Sequence, residues 1–474
     1  MINKAIVWFR NDLRVHDNEA LSEALRMADE FIPVFVFDER VFGPKTPFGF
    51  DKTGVKRIQF IIECVTDLRK SIENLGSDLI VRTGITEDII FDISTQLKAS
   101  WVFCNRERTS EEVAVQDALE QKLWTQGMEM RYSRGKMLYY TSDLPFPITH
   151  TPDTFTSFRK EVEKYVPVRV PLPSPISLAT IDKSIETGDI PSLLDFGFEE
   201  ITATGTPRFH GGESAALAQL EYYLWKSDNV ARYKKTRNKM LGWDYSSKLS
   251  PYLAQGCISP KTIYYEIKKY ESQRTKNDST YWLIFELLWR DYFRLIAKKY
   301  GDKIFVSNGI SEEEAPEWST DRTLFNIWAQ ARTGVPMIDA NMRELNTTGF
   351  MSNRGRQNVA SFLVNDMKVH WLLGAEYFES MLIDYDPCSN YGNWNYIAGV
   401  GVDPRPGRWF NVVHQGKRYD SKGEHAHHWL PELDVISGSK VHDLPIMSKA
   451  DMEEYNIILG KDYPKAVVTD RRWG

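Results

Sequence analysis

Short unbroken apolar runs recur through the first 135 residues: Ala5–Phe9, Ile32–Phe37, Leu79–Val81 and Trp101–Cys104. Such runs read as strands buried on both faces. Between them, Lys56–Leu75 and Ser110–Trp124 carry apolar residues at three- and four-residue spacing, the helical repeat. Alternation of strand and helix predicts an α/β unit over residues 1–135, a doubly wound parallel sheet with helices on both faces. The pattern then lapses. Nine of the 22 prolines fall between Pro145 and Pro207, so residues 136–211 read as a long, mostly irregular connector packed on the surface. From 212 to 474 helical spacing returns, in Ser214–Trp225, Tyr281–Lys299, Asn358–Trp371 and Gly374–Ile383, and predicts a large all-α domain.

Composition narrows the class. The chain has 474 residues, which at roughly 150 residues per domain suits two or three domains. With 42% hydrophobic and 26% charged residues, disorder, collagen and coiled coil are excluded. A net charge of −6 argues against a nucleic-acid coat, so any DNA contact must use a local basic patch. Cys64, Cys104, Cys257 and Cys388 form no CxxC pair and read as packing residues in a reducing, cytoplasmic setting. The N-terminus has no secretory pattern, and no run of about 18 apolar residues predicts a membrane span. No GxGxxG or GxxxxGK[ST] follows a strand, which excludes a standard dinucleotide fold or P-loop enzyme. The 14 tryptophans stand out, since indole packs, stacks and can be oxidised, and eleven of them follow residue 224.

Four clusters in the helical half carry candidate chemistry. Tyr233-Lys-Lys-Thr-Arg237 is followed by Asp244-Tyr-Ser-Ser-Lys-Leu-Ser-Pro-Tyr252, where serine hydroxyls and a helix start suit a diphosphate, although a solvated helix face would look the same. In Glu286-Leu-Leu-Trp-Arg-Asp-Tyr-Phe293, Glu286, Trp289 and Arg290 share a helix face. Gly349–Gln357 places Asn353, Arg354, Arg356 and Gln357 together. Ile383–Trp394 holds Asp384 and Asp386, which alone could be a carboxylate pair, metal ligands or a helix end and turn. His425-Ala-His-His lacks a carboxylate partner pattern, and no metal site is expected there.

Taken in order with Arg10-Asn-Asp-Leu-Arg-Val-His-Asp17, these motifs resemble the photolyase/cryptochrome flavoprotein family from the first strand to about Leu433. Trp289-Arg-Asp-Tyr-Phe, Asp244-Tyr-Ser-Ser-Lys, Gln357, Tyr396, Gly401-Val-Asp-Pro-Arg, Tyr419-Asp and Trp429-Leu-Pro-Glu-Leu are most like its cryptochrome DASH branch. The resemblance implies a noncovalent FAD folded into a U. Tyr233, Ser246, Ser247, Leu249 and Ser250 would hold the ribityl-diphosphate, with Arg290 and Asn353 also lining the cofactor. Arg356 and Asp384 would pair beside the isoalloxazine, Asp386 would accept from the ring imide, and Asn390 would face N5. Trp394, Trp371 and Trp318 would form an electron-transfer chain from flavin to surface; Trp8, Trp101 and Trp328 read as core.

The resemblance also implies a lesion cavity of Glu286, Trp289, Asn353, Arg354, Gln357 and Tyr396, with Arg237 and Arg354 on flanking phosphates. Of these, Glu286, Trp289 and Asn353, with Asn390, would be catalytic. Gln357 and Tyr396 replace the Met and Trp of duplex repair enzymes, and the two histidines of (6-4) photolyases are missing at Asn353 and Gln357. The implied activity is therefore light-driven splitting of cyclobutane pyrimidine dimers, preferentially in single-stranded DNA, where unstacking costs less. The alternative is a blue-light receptor acting through a partner or a regulatory DNA contact, although the sequence stops at Trp473-Gly474 and no signalling tail is expected. A methenyltetrahydrofolate antenna is implied near Asn105–Glu112, with Glu111 as its contact, and the protein is expected to be a monomer.

Overall fold

The computed structural model describes residues 3–179, 185–201, 209–314, 316–402 and 409–473. Asp403, Pro404 and Arg405 of the late motif, and connector residues 180–184 and 202–208, lie outside the described residues. Five parallel strands, β1 (Lys4–Phe9), β2 (Glu30–Asp38), β3 (Ile80–Gly84), β4 (Trp101–Asn105) and β5 (Glu129–Ser133), pair in the order β3-β2-β1-β4-β5. Among helices of eight residues or more, α1 (Glu19–Met27), α2 (Val55–Asn74), α3 (Thr86–Leu97) and α4 (Ser110–Trp124) connect the strands. Two separate apolar layers, one containing Phe9, Phe37 and Phe103 and the other Ile6, Val34 and Val102, show that alternate residues of the sheet feed both faces. Strand β5 eluded the hydrophobic pattern because only Met130 and Ser133 of Glu-Met-Arg-Tyr-Ser are buried, which leaves no apolar run.

The connector is less irregular than its prolines suggest. It contains helix α5 (Phe155–Tyr165), whose Phe155, Phe158 and Val162 are buried. The helical part is built from α6 (Glu213–Glu221), α7 (Pro260–Gln273), α8 (Asp278–Tyr300), α9 (Arg322–Ala329), α10 (Pro336–Thr348), α11 (Asn353–Ser361), α12 (Trp371–Met381), α13 (Pro387–Ala398) and α14 (Val412–Tyr419). Two expectations are corrected. The run Ser214–Trp225 is helical only to Glu221 and continues as a π-helical turn over Tyr222–Lys226. The run Asn358–Trp371 is not one helix: α11 ends in a π turn at Phe362–Asp366, Lys368 turns with φ +56°, and Trp371 opens α12. The apolar spacing survived the break, which is why the sequence alone read through it.

Helix α8 joins the two halves. Its buried Asp291 accepts from the backbone N–H groups of Leu138 (3.1 Å) and Tyr139 (2.9 Å) just after the sheet. All four cysteines are buried; Cys64 of α2 and Cys257 before α7 touch, sulfur to sulfur at 3.4 Å, a pairing no sequence spacing disclosed. Trp8 and Trp328 are core residues, and Trp101 is partly buried against the core. Among the described residues no helix is long and apolar enough to cross a membrane, and no cluster of His, Cys, Asp and Glu could hold a metal ion. His425 and His442 instead face Glu344 (3.2 Å) and Asp420 (3.0 Å).

Candidate functional site: a polar cavity within the helical half

The helical half encloses a cavity of about 310 Å³ that opens to solvent. Ligand sites run from roughly 300 to 1,000 Å³, so the cavity is of ligand-binding size. Three helices supply most of its polar wall, each through its own periodicity. On α8, Glu286 and Arg290 face the cavity four residues apart, and Arg294 follows at the same interval one turn deeper. On α11 the cap of Ser352 on the Gly355 N–H (2.9 Å) starts the helix, so Asn353, Arg356 and Gln357 share the cavity face. On α13, Asp386 is the N-cap, accepting from the Ser389 N–H at 2.8 Å, and Asn390 and Trp394 follow at four-residue steps. The loop Tyr245–Ser250 with Tyr233 and Arg237 closes the far side.

The charges are arranged in pairs. Arg356 Nη2 lies 2.8 Å from Asp384 Oδ2, which also accepts from the Ser250 hydroxyl at 2.7 Å. Arg237 Nη2 lies 2.9 Å from Glu286 Oε1, whose carboxyl burial pushes up against the pull of the guanidinium. Arg290 is spent on backbone, donating to the carbonyls of Lys136 (2.6 Å) and Leu253 (3.1 Å). Behind the cavity runs a buried chain of alternating sign: Asp386 to Arg294 (2.7 Å), Arg294 to Glu107 (3.1 Å), Glu107 to Lys136. Burial would raise the Asp386 carboxyl, but Arg294, Arg290 and Lys136 outweigh it and bring it to about 2. Glu107 comes from the loop after β4, so the sheet unit contributes a charge to the electrostatics of the cavity.

Two acceptors in this wall, Asp384 Oδ1 and Gln357 Oε1, are buried without a hydrogen-bond partner. Leaving such a group unmatched costs about 1–3 kcal/mol, so the wall is incomplete without a ligand that donates. Lys248, also in the lining, has its ammonium 3.6 Å from the Tyr245 ring centroid, and burial lowers it to about 7. An anion would restore its charge. Hydroxyls, a desolvated amine and paired arginines, together with unmatched acceptors, fit a group that carries both a diphosphate and a ring with N–H donors, as FAD does.

Of the residues singled out from sequence, Tyr233, Arg237, Ser246, Ser247, Leu249, Ser250, Glu286, Arg290, Asn353, Arg356, Gln357, Asp384, Asp386, Asn390 and Trp394 all line this cavity. Others lie elsewhere. Trp289 stacks on Phe155 with ring centroids 3.8 Å apart and meets Tyr396 edge-on at 6.3 Å, outside the lining. Arg354 turns away to donate to Asn238 Oδ1 (2.9 Å) and lies over the Tyr419 ring. Trp371 is fully buried outside the lining, and Trp318 is half-buried among exposed neighbours. Glu111 is 74% exposed in the first turn of α4, paired with Lys52. Lys248 and Arg294 were not singled out. Both carried a signal: a lysine inside the serine cluster, and an arginine in four-residue register with Glu286 and Arg290.

Comparison with known proteins agrees with this geometry. A family described as DNA photolyase matches residues 5–176, and the FAD binding domain of DNA photolyase matches residues 282–472. A cryptochrome DASH of Gloeobacter violaceus is 48% identical over 98% of this chain and 92% of its own length. One of Xenopus laevis is 47% identical over 99% and 90%. The crystal structure of a Synechocystis cryptochrome superposes with a TM-score of 0.95 at 45% identity, covering 99% of this chain and 97% of that one. With this cavity, this fold and these relatives, the chain belongs to the photolyase/cryptochrome family of FAD-binding, blue-light proteins, in its cryptochrome DASH branch.

Proposed function

We propose that the protein splits cyclobutane pyrimidine dimers in single-stranded DNA under blue light. One observation carries the reading. The residues suited to the cofactor (Arg356, Asp384, Asp386, Asn390) and those suited to a lesion (Glu286, Asn353, Gln357) line one continuous cavity, with Trp394 in its wall. When bound, FAD supplies light absorption and one-electron chemistry. The chain's own residues hold and orient. Tyr233, Ser246, Ser247, Leu249, Ser250 and Lys248 receive the ribityl-diphosphate. Asp384 offers its unmatched oxygen to a ring N–H, the role expected of Asp386, whose two oxygens are taken by Arg294 (2.7 Å) and the Ser389 N–H (2.8 Å), while Arg356 offsets charge on the ring. Asn390 donates to the Ala375 carbonyl (3.0 Å), which fixes its carboxamide at the inner wall. At the mouth, Glu286 and Asn353 present polar partners to a flipped-out dimer, and Arg237 adds charge for flanking phosphates. Gln357 in place of a larger apolar side chain weakens the grip on the extruded lesion and favours substrates that are already unstacked. A folate antenna near Glu111, a monomeric state and a cytoplasmic setting complete the reading.

The decisive experiment illuminates prereduced protein with dimer-containing oligothymidine. Light-dependent loss of dimers is expected; none would refute the lyase reading. One feature favours the second reading, a photoreceptor without repair: Phe155 occupies a face of Trp289, the aromatic wall meant for the lesion. In that case Trp394→Phe abolishes flavin photoreduction while no variant repairs DNA.

A further inference from the structure

The path from Trp394 to the surface contains a residue that is not a tryptophan. The imidazole of His370 stands between Trp371 and Trp318. It packs edge-on to the Trp318 ring, centroids 5.3 Å apart, and faces the Trp371 ring at 6.3 Å and 27°. The backbone holds this order: Ser319 N–H donates to the Lys368 carbonyl (2.7 Å), and His370 N–H donates to the Ser319 carbonyl (2.8 Å), pinning the segment of Trp318 alongside that of His370. Ser307 clamps both rings from the other side. Its hydroxyl lies 2.8 Å from His370 Nε2, and its carbonyl accepts from Trp371 Nε1 at 3.0 Å. Finally, His370 caps α12, its Nδ1 accepting from the Leu372 N–H at 3.2 Å. An accepting Nδ1 carries a lone pair, so the ring held in this geometry is neutral, with its proton on Nε2.

We propose that His370 is a positioning residue of the electron path, the element that couples Trp318 to Trp371. The inference rests on the flavin reading above. In the step it serves, the Trp318 indole loses one electron and the oxidised Trp371 indole regains it; one positive charge moves outward, no proton is transferred, and the initial oxidant is the photoexcited flavin. A neutral imidazole leaves this step open. An imidazolium closes it twice over, by placing a positive charge beside both indoles and by taking away the acceptor that caps the turn on which Trp371 sits. The charged groups on the elements that meet His370 are Asp302 and Lys303 before Ser307, Glu317 and Asp321 beside Trp318, Asp366 and Lys368 on its own segment, and Glu376 and Glu379 on α12. None of them shifts the ring; burial alone lowers its proton affinity, which keeps it neutral at physiological pH.

The test follows oxidised tryptophan by transient absorption in the flavin-loaded full chain, together with steady-state fluorescence of flavin-free protein. Imidazolium quenches a neighbouring indole, so the fluorescence difference between wild type and Trp318→Phe titrates His370 directly. In wild type the yield of long-lived charge separation should fall about tenfold one pH unit below that midpoint. His370→Asn keeps an acceptor for the Leu372 N–H and has no charge to gain, so its yield should not vary with pH over the same range. A flat wild-type profile, or the same profile in His370→Asn, overturns the inference. If Trp394→Phe abolishes photoreduction while neither pH nor His370→Asn alters the yield, the cofactor reading stands and the inference falls. Photoreduction that survives Trp394→Phe leaves the flavin in place but overturns Trp394 as the first donor, and the inference with it. The wild-type titration needs no variant, so a misfolded substitution does not shield the proposal.

Discussion

Replacing Gly374 with alanine perturbs the cavity from behind, through the Trp394 ring, without substituting a residue that lines it. Gly374 is the fourth residue of α12, three after Trp371, and the Trp394 ring lies against its backbone. A methyl group there would come within 2.7 Å of Trp394 Cζ3 and closer still to Cη2, and within 2.8 Å of Leu363 Cδ2. Carbon atoms pack at about 3.5–4.0 Å, so the indole would have to withdraw by ~1 Å. Two effects oppose each other. Alanine in a helix interior is favoured over glycine by about 1 kcal/mol. Overpacking a filled core costs about 1–3 kcal/mol. The expected net destabilisation is therefore about 0–2 kcal/mol, small enough for the protein to fold. The functional effect should be larger, because the displaced ring is the tryptophan in the cavity wall. Urea denaturation measures the first quantity, and the rate of flavin photoreduction with an external electron donor measures the second. A variant of near-wild-type stability with photoreduction slowed severalfold is expected. Photoreduction at the wild-type rate, with an unchanged flavin spectrum, would refute the claim that this contact sets the position of Trp394.

Two further predictions concern buried charge. Glu213 of α6 accepts from the Val15 N–H (2.8 Å) and the His16 N–H (3.0 Å), and burial nonetheless pushes its carboxyl up to about 7. A folded-state value above the unfolded one means that stability is lost as pH rises, here by about 3 kcal/mol between pH ~4.5 and ~7. Glu213→Gln should remove that slope in denaturation measured at acidic and alkaline pH, and an unchanged slope would count against it. Arg356→Met strands the Asp384 carboxylate, 3% exposed, with only the Ser250 hydroxyl. It should cost about 3 kcal/mol and release FAD, and Arg356→Met with Asp384→Asn should recover part of the stability in thermal melts.

Local pattern explains how much was legible. Four of the five strands declare themselves by apolar runs: β1, β2 and β4 lie inside the sheet, and β3, although an edge strand, begins within the buried run Leu79–Val81; β5, the other edge, alternates polar and apolar residues and has no such run. The helix starts at Asn353 and Pro387 carry a Ser before the first turn and an Asp-Pro step, but apolar spacing alone begins the first helix at Asn358 and leaves Asp384 and Asp386 open between a carboxylate pair, metal ligands and a helix end. The break before Trp371 carries no such signal, because apolar spacing continues across it and the turn is made by Lys368 in a left-handed conformation, without Gly or Pro to mark it.

The sequence by itself determined the fold class, the family and most residues of the cavity, since those follow from periodicity and from motifs contiguous along the chain. Tertiary structure alone decided the rest. It joined Glu107, Lys136, Arg294 and Asp386, far apart in sequence, into one charge chain. It turned Arg354 away from Arg356 on the same helix, covered one face of Trp289 with Phe155 from the connector, and seated His370 between two tryptophans. The physical reason is range. Helical and strand preferences are set within a few residues, whereas burial, ion pairing and ring contact depend on which distant segments share the same few ångströms.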